Sequence, residues 1–259
     1  MSIVERDGDQ VVKRLATDHP AGAGFPQAMA AVGPDGLATY LRTLAGAGVR
    51  LVPGLRVVDQ GPELAVAHRW VPGPVLLDAA EDATMFVDAV VQIAGWVRAL
   101  EETDARLDTN LANFCLTPAG RVVLVDVLPP LVPSARPVPH GPFGQLFDAL
   151  CFQTPVTLDA LVGYAARALL RADTPVPADQ VARLARLRTG PPAAPTPFAA
   201  EWFRSRAVLA LRGLTGQVPA HTVHDYFAAT SVLGFAALTP DQQAARVAHV
   251  DQMIKELSL

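Results

Sequence analysis

The cluster Val71-Pro72-Gly73-Pro74 most constrains how this chain can fold, because two prolines and a glycine end any regular element. Upstream of it, residues 4–15 form two short β-type segments around Asp-Gly, a strong hairpin signal. Residues 55–59 and 64–70 predict a second pair of strands, and leucines at helical spacing predict a helix over 35–47. The chain therefore begins with a small strand-rich part.

Beyond this cluster the pattern becomes helical. Residues 82–102 form one long amphipathic stretch, with apolar residues every three or four positions. Further helices are predicted on either side of a break at 190–197, over 143–151, 157–171, 178–188, 198–213, 222–235 and 240–257. We therefore expect an α+β fold with a strand-rich part at 1–71 and a larger helical part at 72–259. Active-site residues are expected at the junction, where clefts usually form.

Charge and hydropathy exclude several classes of protein. The formal net charge is -4 and there is no run of basic residues, so nucleic-acid binding has no electrostatic support. No segment has the unbroken apolar length that spans a bilayer, and the first residues lack the apolar region of a signal peptide. Cys115 and Cys151 are isolated among apolar residues, which predicts buried free thiols. A cytoplasmic protein without nucleic-acid or membrane partners is expected.

Three oxygen-bearing side chains follow the long helix in a fixed order. Asp108 and Asn113 lie five residues apart in an expected loop, and a turn at 118–120 separates them from an apolar run that ends in Asp126. A hairpin of this kind brings the three side chains together. Such a set can position a hydroxyl group and hold Mg²⁺ beside a nucleotide triphosphate. The alternative is structural, with Asp108 in a cap or turn and Asp126 ending a strand.

Two upstream segments add to this pattern. Val11-Val12-Lys13 places a lysine in an apolar strand, and Leu64-Ala65-Val66-Ala67-His68-Arg69-Trp70-Val71-Pro72-Gly73 is a strand that runs into the breaker cluster. Together with the three oxygen-bearing side chains, and in this order, they resemble the protein-kinase-like superfamily. The similarity is to its aminoglycoside phosphotransferase and choline-kinase-like branch. It covers about residues 4–130, and the later helices match only in being helical.

The resemblance implies a two-lobe kinase-like fold with a reduced N-lobe, and it implies nucleotide-binding roles. Lys13 would contact the phosphates. The backbone around Arg69, Trp70 and Val71 would hydrogen-bond the base. The alternative for Lys13 is an edge-strand lysine that keeps its head group in water.

The resemblance also implies the roles of the remaining site residues. Asp108 would accept or orient the proton of the attacking hydroxyl group. Asn113 and Asp126 would hold Mg²⁺, which favours carboxylate and amide oxygens. ATP or GTP would be the co-substrate.

The sequence departs from the family pattern mainly where phosphates are held. Few residues precede the lysine strand, so the first strand and the Gly-rich loop are missing or minimal. Arg106 stands where a histidine usually precedes the catalytic aspartate by two residues. The expected glutamate partner of Lys13 falls near Leu37, with Asp35 the nearest acid, and residues 126–128 are Asp-Val-Leu. We expect intact metal and base positions with a reduced phosphate-binding part.

Three functions fit these observations. The leading hypothesis is a Mg²⁺-dependent phosphotransferase acting on a hydroxyl of a small molecule, or of a natural-product precursor such as a peptide Ser or Thr. The second is a pseudokinase-like binding or scaffold subunit that works with a partner protein, which would complete the N-lobe. The third is a helical small-molecule-binding protein whose aspartates are structural.

Overall fold

The predicted mixture of strands and helices is confirmed in the computed structural model, which describes residues 2–16, 24–60, 63–188 and 197–257. The chain forms two compact units. One consists of Met1–Ala79 with Gly95–Val138, and the other of Ala80–Ala94 with Pro139–Leu259. The predicted division into a strand-rich part at 1–71 and a helical part at 72–259 stays a prediction.

The first unit is built on a four-stranded antiparallel sheet. Its strands are β1 (Ser2–Asp7), β2 (Gln10–Leu15), β3 (Arg56–Gln60) and β4 (Glu63–Arg69), in the order β1-β2-β4-β3. The predicted Asp-Gly turn joins β1 to β2, with Asp7 paired to Gln10. Gly8 has a φ of 57°, which glycine adopts without steric cost. β2 is an interior strand, hydrogen-bonded on both sides.

Two helices and a hairpin complete the first unit. They are α1 (Gly24–Ala30), α2 (Gly33–Gly46), β5 (Phe114–Leu116) and β6 (Val122–Leu124). α2 agrees with the predicted helix, and its leucines Leu37, Leu41 and Leu44 are buried. The predicted hairpin is also confirmed, because β5 and β6 pair antiparallel. α1 has no counterpart among the predicted elements.

Helices make up the second unit. α3 (Ala83–Ala99), which begins in it, agrees with the predicted amphipathic stretch. The others are α4 (Gly141–Phe152), α5 (Thr154–Ala172), α6 (Ala178–Leu187), α7 (Pro197–Leu214), α8 (Ala220–Ala229), α9 (Val232–Ala236) and α10 (Pro240–Glu256). The prediction of one helix over 222–235 is wrong. The Ser231 side chain accepts a hydrogen bond from the Gly234 amide and caps a new helix there.

The core of the second unit surrounds a buried tryptophan. The Trp202 indole donates a hydrogen bond to the Thr230 carbonyl at 3.1 Å. The rings of Phe198 and Phe235 meet the indole edge-on, with centroids 5.3 and 5.5 Å away. Aromatic pairs favour this arrangement because of their quadrupoles.

None of the helices in the described ranges combines the length and the apolar character that crossing a bilayer requires. Both cysteines are free and buried, as predicted. The predicted break at 190–197 lies outside the described residues except for its last position.

Candidate functional site

Lys13 lies on the interior strand β2 with its side chain buried. The residue is 7% exposed and shares a face with Val11 and Leu15, since alternate residues of a strand point the same way. Its Nζ donates a hydrogen bond to the Val125 carbonyl at 2.7 Å and lies 3.7 Å from Oδ2 of Asp126. The edge-strand alternative for this lysine is therefore wrong, because β2 has a partner on each side.

Burial and neighbouring groups shift the pKa of the Lys13 ammonium group in opposite directions. Burial lowers the pKa of Lys13, and the nearby Asp126 carboxylate and Cys115 thiol act in the raising direction. Burial also raises the pKa of the Cys115 thiol, which Lys13 partly offsets. The acidic partner of Lys13 is thus Asp126, which follows the hairpin. Asp35, the nearest acid by sequence alignment, is exposed on α2.

Asp126 lies two residues after the end of β6, and both oxygens of its carboxylate are engaged. The Ser2 hydroxyl donates to Oδ2 at 2.6 Å, and the Leu128 amide donates to Oδ1 at 3.3 Å. The Lys13 ammonium lies near Oδ2 as well. β1 therefore brings Ser2 to the carboxylate, a contact for which the sequence offers no signal.

The loop before β5 is held by hydrogen bonds among its own residues. Oδ1 of Asp108 accepts from the Asn110 amide at 2.9 Å, and Oδ1 of Asn110 accepts from the Ala112 amide at 3.1 Å. Side chains of this type favour such turns because they replace a backbone acceptor. The bond to Asn110 is the one that the structural alternative for Asp108 predicts.

Main-chain hydrogen bonds tie this loop to the end of the hairpin. The Asn113 carbonyl accepts from the amides of Val125 at 2.8 Å and Asp126 at 3.3 Å. The Asn113 side chain also hydrogen-bonds Asp108. The main-chain bonds extend the β5–β6 pairing by one residue, and the side-chain bond joins Asp108 to Asn113, two of the three oxygen-bearing side chains.

Asp108 is exposed to water, and the surrounding protein still desolvates its carboxylate enough to raise its pKa. Its side chain is exposed, while desolvation raises its pKa and the charge of Asp126 acts in the same direction. The hydrogen bonds from Asn110 and Asn113 lower that pKa. Because the side chain is exposed, contact with water offsets part of the desolvation. A carboxylate with a raised pKa accepts a proton more readily.

Arg106 anchors the loop from behind. The Tyr40 hydroxyl donates to its carbonyl at 2.9 Å, and its amide donates to the Leu131 carbonyl at 2.8 Å. Its guanidinium group donates to the carbonyl oxygens that follow α3, those of Leu100, Glu101, Thr103 and Ala105. These carbonyls lie beyond Ala99, the last residue of α3. Arg106 therefore fixes the path of the chain into Asp108.

The predicted base-binding segment is partly occupied within the protein. The Arg69 amide donates to the Pro53 carbonyl at 3.0 Å, and the Trp70 amide donates to the Asp9 carbonyl at 2.7 Å. The backbone groups of Val71 make no hydrogen bond with another described residue. Of the three predicted residues, Val71 is thus the one whose amide is not engaged within the described part of the chain.

Apolar side chains surround Val71. It is buried in a cluster with Val52, Cys115, Val123 and Val125, with Leu55 and Val75 packed against it. A flat aromatic base gains from such contacts through burial of apolar surface. The cluster lies next to Lys13, whose Nζ reaches the Val125 carbonyl.

Gly73 permits the close packing of this segment on the hairpin. Its φ is 135°, and an added Cβ would overlap the Leu116 carbonyl oxygen. The Leu116 amide in turn donates to the Pro74 carbonyl at 3.1 Å. Any residue with a side chain at position 73 must therefore separate the two segments.

Gly73→Ala should lower the free energy of unfolding by about 2 kcal/mol, through backbone strain and the clash with Leu116. Chemical denaturation measures this change. Gly95→Ala is the matched control, because Gly95 lies inside α3 with open space at its Cβ. This control should stabilise the protein by about 0.5–1 kcal/mol. Equal effects of the two variants would contradict the packing described.

His68 is a buried polar residue that the sequence patterns did not single out. It is 4% exposed and lies on β4, opposite Val11 of β2. Nδ1 is 2.8 Å from the Arg69 carbonyl, and Nε2 is buried with no hydrogen-bond partner among the described residues. The sequence feature that could have identified His68 is a histidine inside an otherwise apolar strand.

Stability should fall at acidic pH because of His68. Burial lowers its pKa from the ordinary 6.5, so the unfolded chain binds the proton more tightly. The contribution is complete above the unfolded pKa of 6.5 and is lost as pH falls through the lower folded pKa. Thermal denaturation between about pH 7 and pH 5 measures it. His68→Gln should flatten the dependence of stability on pH. His221→Gln is the control, because His221 is exposed, and it should keep the wild-type dependence. A His68→Gln profile parallel to that of the wild type would contradict the role of His68.

The donors around Asp126 fit Mg²⁺. Asn113 and Asp126 offer amide and carboxylate oxygens, the hard ligands that this ion prefers. Within the described ranges no three His, Cys, Asp or Glu side chains are grouped to hold a metal by themselves. Mg²⁺ commonly uses one or two carboxylates and completes its shell with phosphate oxygens and water.

No model of a known protein family and no curated protein sequence matches the chain. The residues themselves therefore carry the functional argument. The first unit holds Lys13, Asp126 and the loop of Asp108 and Asn113 in contact, and the apolar cluster of Val71 adjoins them.

Proposed function

We propose that the chain is a Mg²⁺-dependent phosphotransferase that moves the γ-phosphate of ATP or GTP to a hydroxyl group. The observation that carries the proposal is the buried Lys13 near Asp126, beside the loop of Asp108 and Asn113. A buried lysine is rare unless anionic groups offset its desolvation. Nucleotide phosphates would supply more negative charge than Asp126 alone.

Each residue has a role in this reaction. Asp108 orients the acceptor hydroxyl and takes its proton as the new O–P bond forms and the bond to the leaving diphosphate breaks. Lys13 donates to phosphate oxygens. The Val71 backbone and its apolar cluster hold the base. Asn113 and Asp126 would hold Mg²⁺, whose charge stabilises the phosphate oxygens.

The acceptor class follows from the resemblance. A small hydroxylated molecule such as an aminoglycoside is the first candidate. A Ser or Thr of a natural-product precursor peptide is the second, since phosphorylation activates a hydroxyl for elimination. The reaction would take place in the cytoplasm, and a partner protein would contribute to phosphate binding.

A second candidate function is a pseudokinase-like binding or scaffold subunit. The observation in its favour is that the polar groups of the site are bonded to each other. The Lys13 ammonium donates to the Val125 carbonyl, and the Ser2 hydroxyl donates to Asp126. Both bonds must open before these groups can meet a nucleotide and metal.

Thermal denaturation with Mg²⁺ and ATP or GTP tests both functions. A ligand that binds the native state raises the melting temperature by mass action, and we expect a rise with at least one nucleotide. If neither nucleotide shifts the wild type, the kinase and the nucleotide-binding pseudokinase are both excluded. A shift without phosphate transfer to any hydroxylated acceptor would favour the pseudokinase.

A further inference from the structure

His68 carries an unused hydrogen-bonding group next to the proposed nucleotide site. Its Nδ1 lies 2.8 Å from the Arg69 carbonyl, and its Nε2 is buried without a partner in the described part of the chain. Native proteins satisfy nearly all buried polar atoms, so an exception calls for an explanation. One explanation is a ligand that supplies the missing hydrogen-bond partner of Nε2.

The contact with Arg69 fixes the tautomer of this imidazole. A carbonyl oxygen only accepts hydrogen bonds, so Nδ1 must carry the proton. Burial lowers the pKa of His68, which keeps the ring neutral near pH 7. In a neutral ring with the proton on Nδ1, Nε2 is an acceptor. The missing partner is therefore a hydrogen-bond donor.

The sheet places this acceptor on the face that carries Lys13. His68 pairs with Val11, which lies two residues before Lys13 on β2, and residues paired across a sheet share its face. Charges on Lys13 and Asp126 also act on the His68 ring. Val71, whose amide is not engaged within the described part of the chain, follows His68 by three residues. The shared face with Lys13 and the short separation from Val71 along the chain are the grounds for placing a base held at Val71 beside Nε2.

We propose that His68 is a specificity-determining residue that selects adenine over guanine nucleotides, an inference that rests on the proposed function. Adenine carries an amino group at C6, which donates to an acceptor such as Nε2. Guanine carries an oxygen there, so two acceptors would face each other. Sites built around a buried polar group discriminate strongly against ligands that leave it unpaired.

Equilibrium titration of the wild-type chain with three nucleotides in Mg²⁺ tests the chemistry without any mutation. ATP should bind at least about tenfold more tightly than GTP. Purine riboside triphosphate, which has hydrogen in place of the C6 amino group, should bind with intermediate affinity. Binding of neither ATP nor GTP would exclude the proposed function itself. Equal affinity for ATP and GTP would overturn only the role of His68.

A variant then assigns the preference to this side chain. His68→Met keeps a side chain of similar size with only a weak acceptor, so its ATP to GTP affinity ratio should fall to within about twofold of one. His224→Met is the matched control, because His224 also has a buried nitrogen without a partner, on α8 of the other unit. An unchanged ratio in His68→Met would overturn the proposal.

Nitrogen-15 spectra of the imidazole keep the proposal testable if His68→Met fails to fold. In the wild type, the Nε2 resonance of His68 should report an unprotonated nitrogen and should shift when ATP is added. GTP should leave it nearly unchanged. A protonated Nε2 in the free protein, or equal shifts with both nucleotides, would contradict the assignment.

Discussion

Replacing Asp108 with asparagine should lower the rate of phosphate transfer by about two to four orders of magnitude, the usual contribution of a positioned general base. The amide keeps the size of the side chain and can still accept from the Asn110 amide, so the loop should stay folded. It cannot take the proton of the acceptor hydroxyl. The measurement is nucleoside diphosphate release with a panel of hydroxylated acceptors.

Nucleotide binding separates this effect from a loss of structure. The rise in melting temperature with Mg²⁺ and nucleotide should persist in Asp108→Asn, because Asp108 acts on the acceptor. Asp78→Asn is a control at an exposed aspartate of the same unit and should keep the wild-type rate. Phosphate transfer by Asp108→Asn at the wild-type rate would remove Asp108 from the catalytic role.

Lys13→Met should weaken nucleotide binding by about a hundredfold, which corresponds to the loss of a strong charge-assisted hydrogen bond. Methionine fills the buried volume but cannot donate to a phosphate, and it leaves Asp126 without its nearby ammonium. Lys255→Met is the control, since Lys255 lies at the exposed end of α10. Equal nucleotide affinity in Lys13→Met and wild type would contradict the phosphate role.

The lysine content allows a second measurement on the unmodified protein. Lys13 and Lys255 are the two lysines of the chain. Acylation of amines followed by mass spectrometry should show ATP protecting Lys13 while Lys255 reacts as before. Lack of protection at a nucleotide concentration that saturates binding would place the nucleotide away from Lys13.

Elements with strong local signals could be predicted from the sequence. The Asp-Gly turn between β1 and β2, the leucine face of α2 and the hairpin that ends at Asp126 all follow from short-range patterns. The division of 222–235 into two helices depends instead on one side-chain hydrogen bond from Ser231. Such a cap competes with helix continuation, and periodicity does not record it.

Long-range contacts of the site could not be predicted. Ser2 and Asp126 are 124 positions apart, and Lys13 and Val125 are 112 apart, so no local pattern links them. The unpaired nitrogen of His68 depends on burial, which needs the whole sheet. Residue types predicted which chemistry to look for, and the tertiary structure decides which groups meet.

Titration of ATP with and without Mg²⁺, on the wild type and on Asp126→Asn, tests the central claim most directly. If Asp126 would hold Mg²⁺ in the nucleotide complex, Mg²⁺ should tighten ATP binding to the wild type by at least about tenfold. Mg²⁺ should change the ATP affinity of Asp126→Asn only slightly, although this variant keeps the side-chain size and one acceptor oxygen. ATP affinity that is independent of Mg²⁺ in the wild type, or a full Mg²⁺ effect in Asp126→Asn, would contradict the proposed site.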